Sequence, residues 1–486
     1  MQPAERLPSL QSLRRPLAAL AAALALACCA GAARAAATIV IVNLNEAGVG
    51  FNDPTPVAPV GGNPGTTLGQ QRLNAFQRAA DLWGATLTSD VTIRIGASFE
   101  PLSCTATSAV LGAAGANEIW SDFPNAPRAE TWYPAALASK LAGEDVATPG
   151  QPHIIARFNS RLGLSADCLP GEGFYLGLDR NFGNGIDLVT VLLHEFAHGL
   201  GFQTFTDDET GEEILGIPSI WDYYLLDNRN NRTWVESTPA QRAASAVTWR
   251  GLSWNGPIVT AAVPQVLGPA SNLGIAGPAA GTAAGNYGVG DATFGPALSN
   301  PPVRGQLMPV VDQPDGNGYA CQPLGTLNAL AVRGNIALVD RGGGCDFTVK
   351  ARNVQAAGAL GMVVADNQPG DVAGLGGSDP TIAIPSVRVT QADGATIKAA
   401  LQRRARTQSG VVASLGLDSA RLAGTDAAGR ILLYTPGAYS PGSSVSHYTT
   451  EARPNQLMEP AINTDLTHDV TPPRDLTFPL LRDIGW

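Results

Sequence analysis

The residues most able to do chemistry lie in the string His194-Glu195-Phe196-Ala197-His198-Gly199-Leu200-Gly201. Two histidines four apart on a helix project from one face, one turn apart, so both imidazoles can bind one metal ion, zinc above all. A glutamate beside the first histidine can take a proton from a metal-bound water, which makes the string a signature of metal-assisted hydrolysis. Asp187 can cap a helix running through Leu200. Leu188, Leu192 and Phe196 form one row of that helix, and Val189, Leu193 and Ala197 the next. A helix apolar nearly all round belongs in the interior. Imidazoles and a carboxylate buried there need a partner, because unpaired buried charge is costly, and a metal ion supplies one. Gly201 can turn the chain after the helix, but three residues further on stands Thr204, a poor zinc ligand. Either the site is degenerate or the third ligand comes from elsewhere.

The chain has five histidines: His153, His194, His198, His447 and His468. His447 ends the run Gly442-Ser443-Ser444-Val445-Ser446, and Met458, one of four methionines, follows in Leu457-Met458-Glu459-Pro460. A rival third ligand would be Glu209, Glu212 or Glu213, but their segment TDDETGEE reads as a solvated loop. His153 reads as structural and His468 as a surface residue. Asp222 and Asp227 are candidates for orienting the ligands, although spacing favours ordinary structural roles for both.

The elements that must position these groups follow from periodicity. A β-branched run at 38–44 predicts a strand, and Leu73, Phe76, Ala80 and Trp83 predict one apolar face of a helix over 68–87. Strands are expected at 91–95, 154–158 and 174–178, while 104–149 is irregular. Strand, helix, strand in that order suits the opening of an α/β catalytic domain. After Trp254 the composition turns rich in Ala, Gly and Pro. A compact α/β pattern follows: strands at 336–339, 360–365 and 382–389, with helices at 347–357 and 391–403. The apolar residues of 480–486 are expected to pack back on the catalytic core.

A formal net charge of -10, with no basic run, argues against a nucleic-acid partner. Arg6, Arg14 and Arg15, an apolar run over 17–30, and Ala33-Arg34-Ala35 predict a signal peptide over 1–35. Cys28 and Cys29 raise a lipoprotein reading that the residues before them fit poorly. No later stretch reads as a membrane anchor. The expected address is secreted, with the periplasm as the variant, and three lysines against many arginines suggest a GC-rich bacterium. Cys104, Cys168, Cys321 and Cys345 then read as two disulfides. Of the three pairings, Cys104–Cys168 with Cys321–Cys345 keeps each pair inside one domain.

Two resemblances extend this reading. NIALVDRGGGCDFTVKARNVQAAGALGMVVADN (335–367) and IPSVRVTQADGATIK (384–398) resemble the protease-associated domain. That resemblance implies a non-catalytic module of the kind inserted in exported proteases and sorting receptors. The blocks 187–202 and 442–460 resemble the leishmanolysin family of metzincins, in which an insertion separates the first two zinc ligands from the third. It implies zinc on His194, His198 and His447, Glu195 as general base, and Met458 in the turn beneath the metal. The chain departs from that family in having a whole domain as insertion and Tyr448 where tryptophan is common.

The expected fold class is an α/β (α+β) zincin-type catalytic domain carrying an inserted α/β protease-associated domain. Its layout is a signal peptide at 1–35, catalytic segments at 36–257 and 416–486, and the insertion at 258–415. The expected function is a secreted zinc endopeptidase acting on protein or peptide substrates. Its rival is a non-catalytic binding or adhesion protein on the same scaffold. One catalytic zinc is expected; structural calcium, sought at the acidic 312–315, has no support in the sequence. The insertion reads equally as a lid or docking device and as a tolerated surface-loop insertion. Nothing in the sequence sets an oligomeric state or a cleavage preference.

Overall fold

The computed structural model describes residues 36–370, 372 and 374–486; the expected signal peptide, with Cys28 and Cys29, lies outside them. The first body is built on a sheet of four strands: β1 (Ile39–Asn43), β2 (Ile93–Glu100), β3 (Gly112–Ala116) and β4 (Ile154–Asn159). Their order is β1-β2-β4-β3. β1, β2 and β4 run parallel, with Ile39 opposite Ile93 and Ile95 opposite Ile154, whereas β3 pairs antiparallel to β4 as an edge strand.

Helix α1 (Leu68–Thr86) starts where the Thr67 side chain accepts a hydrogen bond from the Gln70 amide. Ala75, Phe76, Ala79, Ala80 and Trp83 are its buried face, whereas Leu73, expected on that face, is 39% exposed. At 3.6 residues per turn Leu73 falls at the margin of the arc those five define. Helix α2 (Leu188–Leu200) is capped by Asp187, whose carboxylate accepts from the Thr190 amide, and all thirteen of its residues are buried. The Trp83 indole donates to the Leu193 carbonyl at 3.1 Å, which locks α1 to α2. A Cβ at Gly199 would stand 2.3 Å from Ile154 Cγ2, so only glycine lets α2 lie this close to the sheet.

The first body continues past the expected boundary at 258. Helix α3 (Pro257–Val266) buries Val259, Ala262, Val263 and Val266 in the first core, and Asp483 of the C-terminal helix α6 (Thr477–Ile484) accepts the amides of Ile258 and Val259. Its Ala- and Pro-rich composition resembles linker, but Pro257 sits at the first turn, where its missing N–H costs nothing. Residues 257–266 therefore pack with the first core. The Trp486 indole donates to the Leu200 carbonyl, so the C-terminus packs back on α2.

The second body is an eight-stranded sheet. Its strands are β5 (Pro269–Ala276), β6 (Gly285–Gly288), β7 (Gly290–Asp291), β8 (Val303–Pro309), β9 (Ile336–Asp340), β10 (Gly361–Ala365), β11 (Ser386–Val389) and β12 (Val412–Leu422). The order is β6-β5-β12-β8-β9-β10-β11-β7, parallel from β8 to β11. Helices α4 (Phe347–Ala356) and α5 (Gln391–Ala400) cover it. Separate cores form on its two faces, one around Leu307, Ile336 and Val363, the other around Met308, Ala337 and Val364. Strands buried on both faces suit near-continuous apolar runs such as Ile336–Asp340. β12 reaches Leu422, beyond the expected end at 415, because it pairs along β5 as the return crossing. The disulfides are Cys104–Cys168 and Cys321–Cys345, one in each body. Among the described residues no helix is long and apolar enough to cross a membrane.

Candidate metal centre

Two segments far apart in sequence build the site. α2 delivers His194 and His198, and Gly201 then ends the helix at φ +123°, donating to the carbonyls of Ala197 and His198. A Cβ there would stand 2.8 Å from Ile484 Cδ1, so glycine is required by the turn and by the approach of α6. His447, 249 residues after His198, arrives from the loop that ends at Ser446.

Each histidine is fixed through Nδ1. His194 donates to the Leu457 carbonyl at 2.7 Å, His198 to the Phe202 carbonyl at 2.8 Å, and His447 to the Ser443 carbonyl at 2.9 Å. A carbonyl only accepts, so each Nδ1 carries the proton and each Nε2 presents a lone pair. The three Nε2 atoms lie 3.2, 3.2 and 3.3 Å from one another. Three lone pairs at that separation repel unless a cation sits among them. Nitrogen atoms on a tetrahedral zinc at about 2.0–2.1 Å are separated by about 3.3–3.4 Å, so the triangle fits that ion. Among the described residues this is the one cluster of His, Cys, Asp or Glu able to hold a metal.

Burial sets the charges. Desolvation pushes His194 down to about 4 and His198 to about 3, and His447 falls well below the usual histidine value. All three are thus neutral at physiological pH, the form that ligates. Burial raises Glu195 to about 8, opposed by a hydrogen bond from the Ala114 backbone of edge strand β3.

Met458 is fully buried within a turn in which the Glu459 amide donates to the Gln456 carbonyl. The Tyr448 amide donates to the Met458 carbonyl at 2.7 Å, which joins this turn to the His447 segment. The Leu457 amide donates to Asp475, whose other oxygen accepts from Thr477. Leu457 and Asp475 were not legible as functional, since one acts through its carbonyl and the other through that peptide. Tyr448 is buried, and its hydroxyl donates to the Leu476 carbonyl at 2.9 Å.

The remaining candidates separate cleanly. Thr204 donates through Oγ1 to Asp222 and through its amide to Ser446, beside His447. Asp222 also accepts from Thr206 and Ser219, so it braces the loop after α2 and bonds to none of the three histidines. Asp227 pairs with Arg229. Glu209 and Glu212 are exposed, and Glu213 pairs with Arg242 at 3.0 Å. His153 is buried between the Arg94 amide and Asp145. His468 is not a free surface residue: its Nε2 lies 2.7 Å from Asp187, the cap of α2. Its polar neighbours in sequence hid that contact. Asp312 is occupied by the amides of Tyr319 and Ala320.

Residues 303–397 match the family model described as the PA domain, so the second body contains a PA domain. No curated protein matches the chain. Solved structures with local likeness include BSAP, a zinc aminopeptidase from Bacillus subtilis, at 18% identity and TM-score 0.21, covering 33% of this chain and 36% of that one. An aminopeptidase from Aneurinibacillus sp. strain AM-1 shares 19% identity at TM-score 0.23, covering 41% and 42%. The psychrophilic subtilisin-like protease Apa1 from Pseudoalteromonas sp. AS-11 shares 20% at TM-score 0.22, covering 32% and 34%. The chain thus spans less than half the length of each.

Proposed function

We propose that this chain is an exported zinc endopeptidase of the zincin class, similar to the leishmanolysin-type metzincins, with a PA domain inserted between its ligand segments. The observation that carries the reading is the buried triangle of His194, His198 and His447 Nε2 atoms, each locked as a neutral donor. Two disulfides suit an exported chain.

Zinc held by the three histidines would lower the pKa of a bound water and polarise a scissile carbonyl. Glu195 accepts the proton of the attacking water and returns it to the leaving amine. A cation held by the three histidines would favour the ionised form of Glu195 against the burial that otherwise protonates it. Met458 closes the apolar floor of the site. The Leu457 and Ser443 carbonyls hold two of the rings in register, which keeps their Nε2 lone pairs convergent. Edge strand β3, built of Gly and Ala, has its outer side free of the sheet and its Ala114 amide turned to Glu195. An extended peptide laid along that edge would bring its carbonyl beside the base.

The test is Glu195→Gln in the purified mature protein. Peptide hydrolysis should vanish while zinc content stays at the wild-type level. Hydrolysis that survives the change defeats the mechanism, and a wild-type protein that binds zinc without cleaving any peptide favours the binding-protein reading.

A further inference from the structure

We infer that the PA body is part of the framework of the metal centre, with Gly424 and Arg453 as positioning residues that hold the His447 segment through the neck of the insertion. This rests on the zinc reading above. The chain leaves the first body through Gly268 and returns through Ala423 and Gly424. The Ala423 amide donates to the Gly268 carbonyl, and the Gly268 amide donates to the Arg453 carbonyl, both at 2.8 Å. One residue, Gly268, therefore ties both crossings to the segment between His447 and the Met458 turn.

The second tie is steric. Gly424 has φ +72°, and a Cβ on it would lie 2.8 Å from Ala452 Cα and 2.9 Å from Ala452 N. Backbone meets backbone there, with no flexible side chain to give way. The Gly424 carbonyl also accepts from Leu432, whose own carbonyl accepts from Thr449, two residues past His447. The third tie is charged. Arg453 Nε lies 3.6 Å from Asp291 of β7 in the PA body, and Ser271 of β5 donates to the same oxygen at 2.8 Å.

From Arg453 the chain runs directly into the turn whose Leu457 carbonyl orients His194. An insertion merely tolerated in a surface loop would hang from a flexible linker and touch neither ligand segment. Here a rotation of the PA body about its neck moves Ala452 and Arg453, and with them the turn whose Leu457 carbonyl holds the His194 ring. Anything that binds the PA body and turns it would act on the zinc.

The experiment measures zinc release from the full chain to a chromophoric chelator, with the visible spectrum of the cobalt-substituted protein as a second readout. Gly424→Ala should speed release about 10–100-fold, the range for loss of outer groups that orient metal ligands, and shift the cobalt bands. The control is Gly277→Ala at the far end of β5, where φ is +107° and a Cβ would lie 2.4 Å from the Gly410 carbonyl. It strains the PA body equally but away from the neck, and should leave both readouts unchanged. Equal release from both variants, or wild-type release from Gly424→Ala, overturns the inference while the zinc reading stands. A wild-type protein that holds no zinc overturns the zinc reading itself. If Gly424→Ala does not fold, Asp291→Asn decides: faster release supports the coupling, and unchanged release and spectrum refute it.

Discussion

Tyr448→Phe deletes one hydroxyl next to a proposed zinc ligand and nothing else. Adjacency to His447 invites the idea that Tyr448 stabilises the oxyanion, and the structure argues otherwise. The ring is fully buried, packs edge-on against Phe202 at 5.0 Å, and spends its O–H on the Leu476 carbonyl. The size of the effect follows from that carbonyl's other partner. Leu476 O also accepts from the Leu480 amide at 3.1 Å, so deletion leaves no orphaned acceptor. The loss is then that of one ordinary hydrogen bond, about 0.5–1.5 kcal/mol. In a thermal melt, that lowers the midpoint by no more than about 2–4 °C per kcal/mol. The second assay is kcat on a quenched-fluorescence peptide, which should not change. Removal of an oxyanion donor costs about 100–1,000-fold in kcat. A fall of that size with a small thermal shift would refute the assignment.

Three further outcomes are expected. Gly199→Ala drives a methyl to 2.3 Å from Ile154 Cγ2 and should cost about 1–3 kcal/mol in urea denaturation, and in combination with Ile154→Ala the two losses should fall short of additive. Asp187→Ala removes the cap of α2 and the partner of His468, and should cost about 1–2 kcal/mol by the same measurement; no loss would mean that the cap is idle. In metal-free protein, Glu195 is raised from 4.5 to about 8, so the native state binds a proton the unfolded chain has lost between those values. Its contribution to stability is fully present below about 4.5 and is lost as pH rises through about 8, so wild type should lose ground to Glu195→Gln across that interval. A pH-independent difference between the two would show that Glu195 is not held protonated.

Much of this was legible in the residues because chemistry and burial left the same mark. The helix at 188–200 declared itself through an apolar surface interrupted by His, Glu and His, and five histidines in the whole chain left few partners for Thr204's missing role. The strand and helix runs of the PA body were read for the same reason: Ile336–Asp340 and Gly361–Ala365 are buried on both faces and show it in composition. Edge strand β3 was invisible, since GAAGA carries no β-branched or aromatic residue and forms a strand only because β4 offers it a partner. The packing of 257–266 as a helix on the first core carried no clear mark, because Ala and Pro serve linkers and short helices alike. The Leu457 carbonyl, the Asp475 brace and the pairing of His468 with Asp187 join residues far apart in sequence, and no local pattern announces such contacts. The Gly268 and Gly424 ties at the neck are of the same kind.

The proposed metal centre is split across the chain, with His447 supplying the third ligand. Zinc content by elemental analysis after exhaustive dialysis, on wild type and His447→Ala side by side, tests it most directly. About one zinc per chain is expected in the wild type, the occupancy of a three-histidine catalytic site, and loss of that zinc in the variant. Full retention in His447→Ala, with the variant folded, would contradict it.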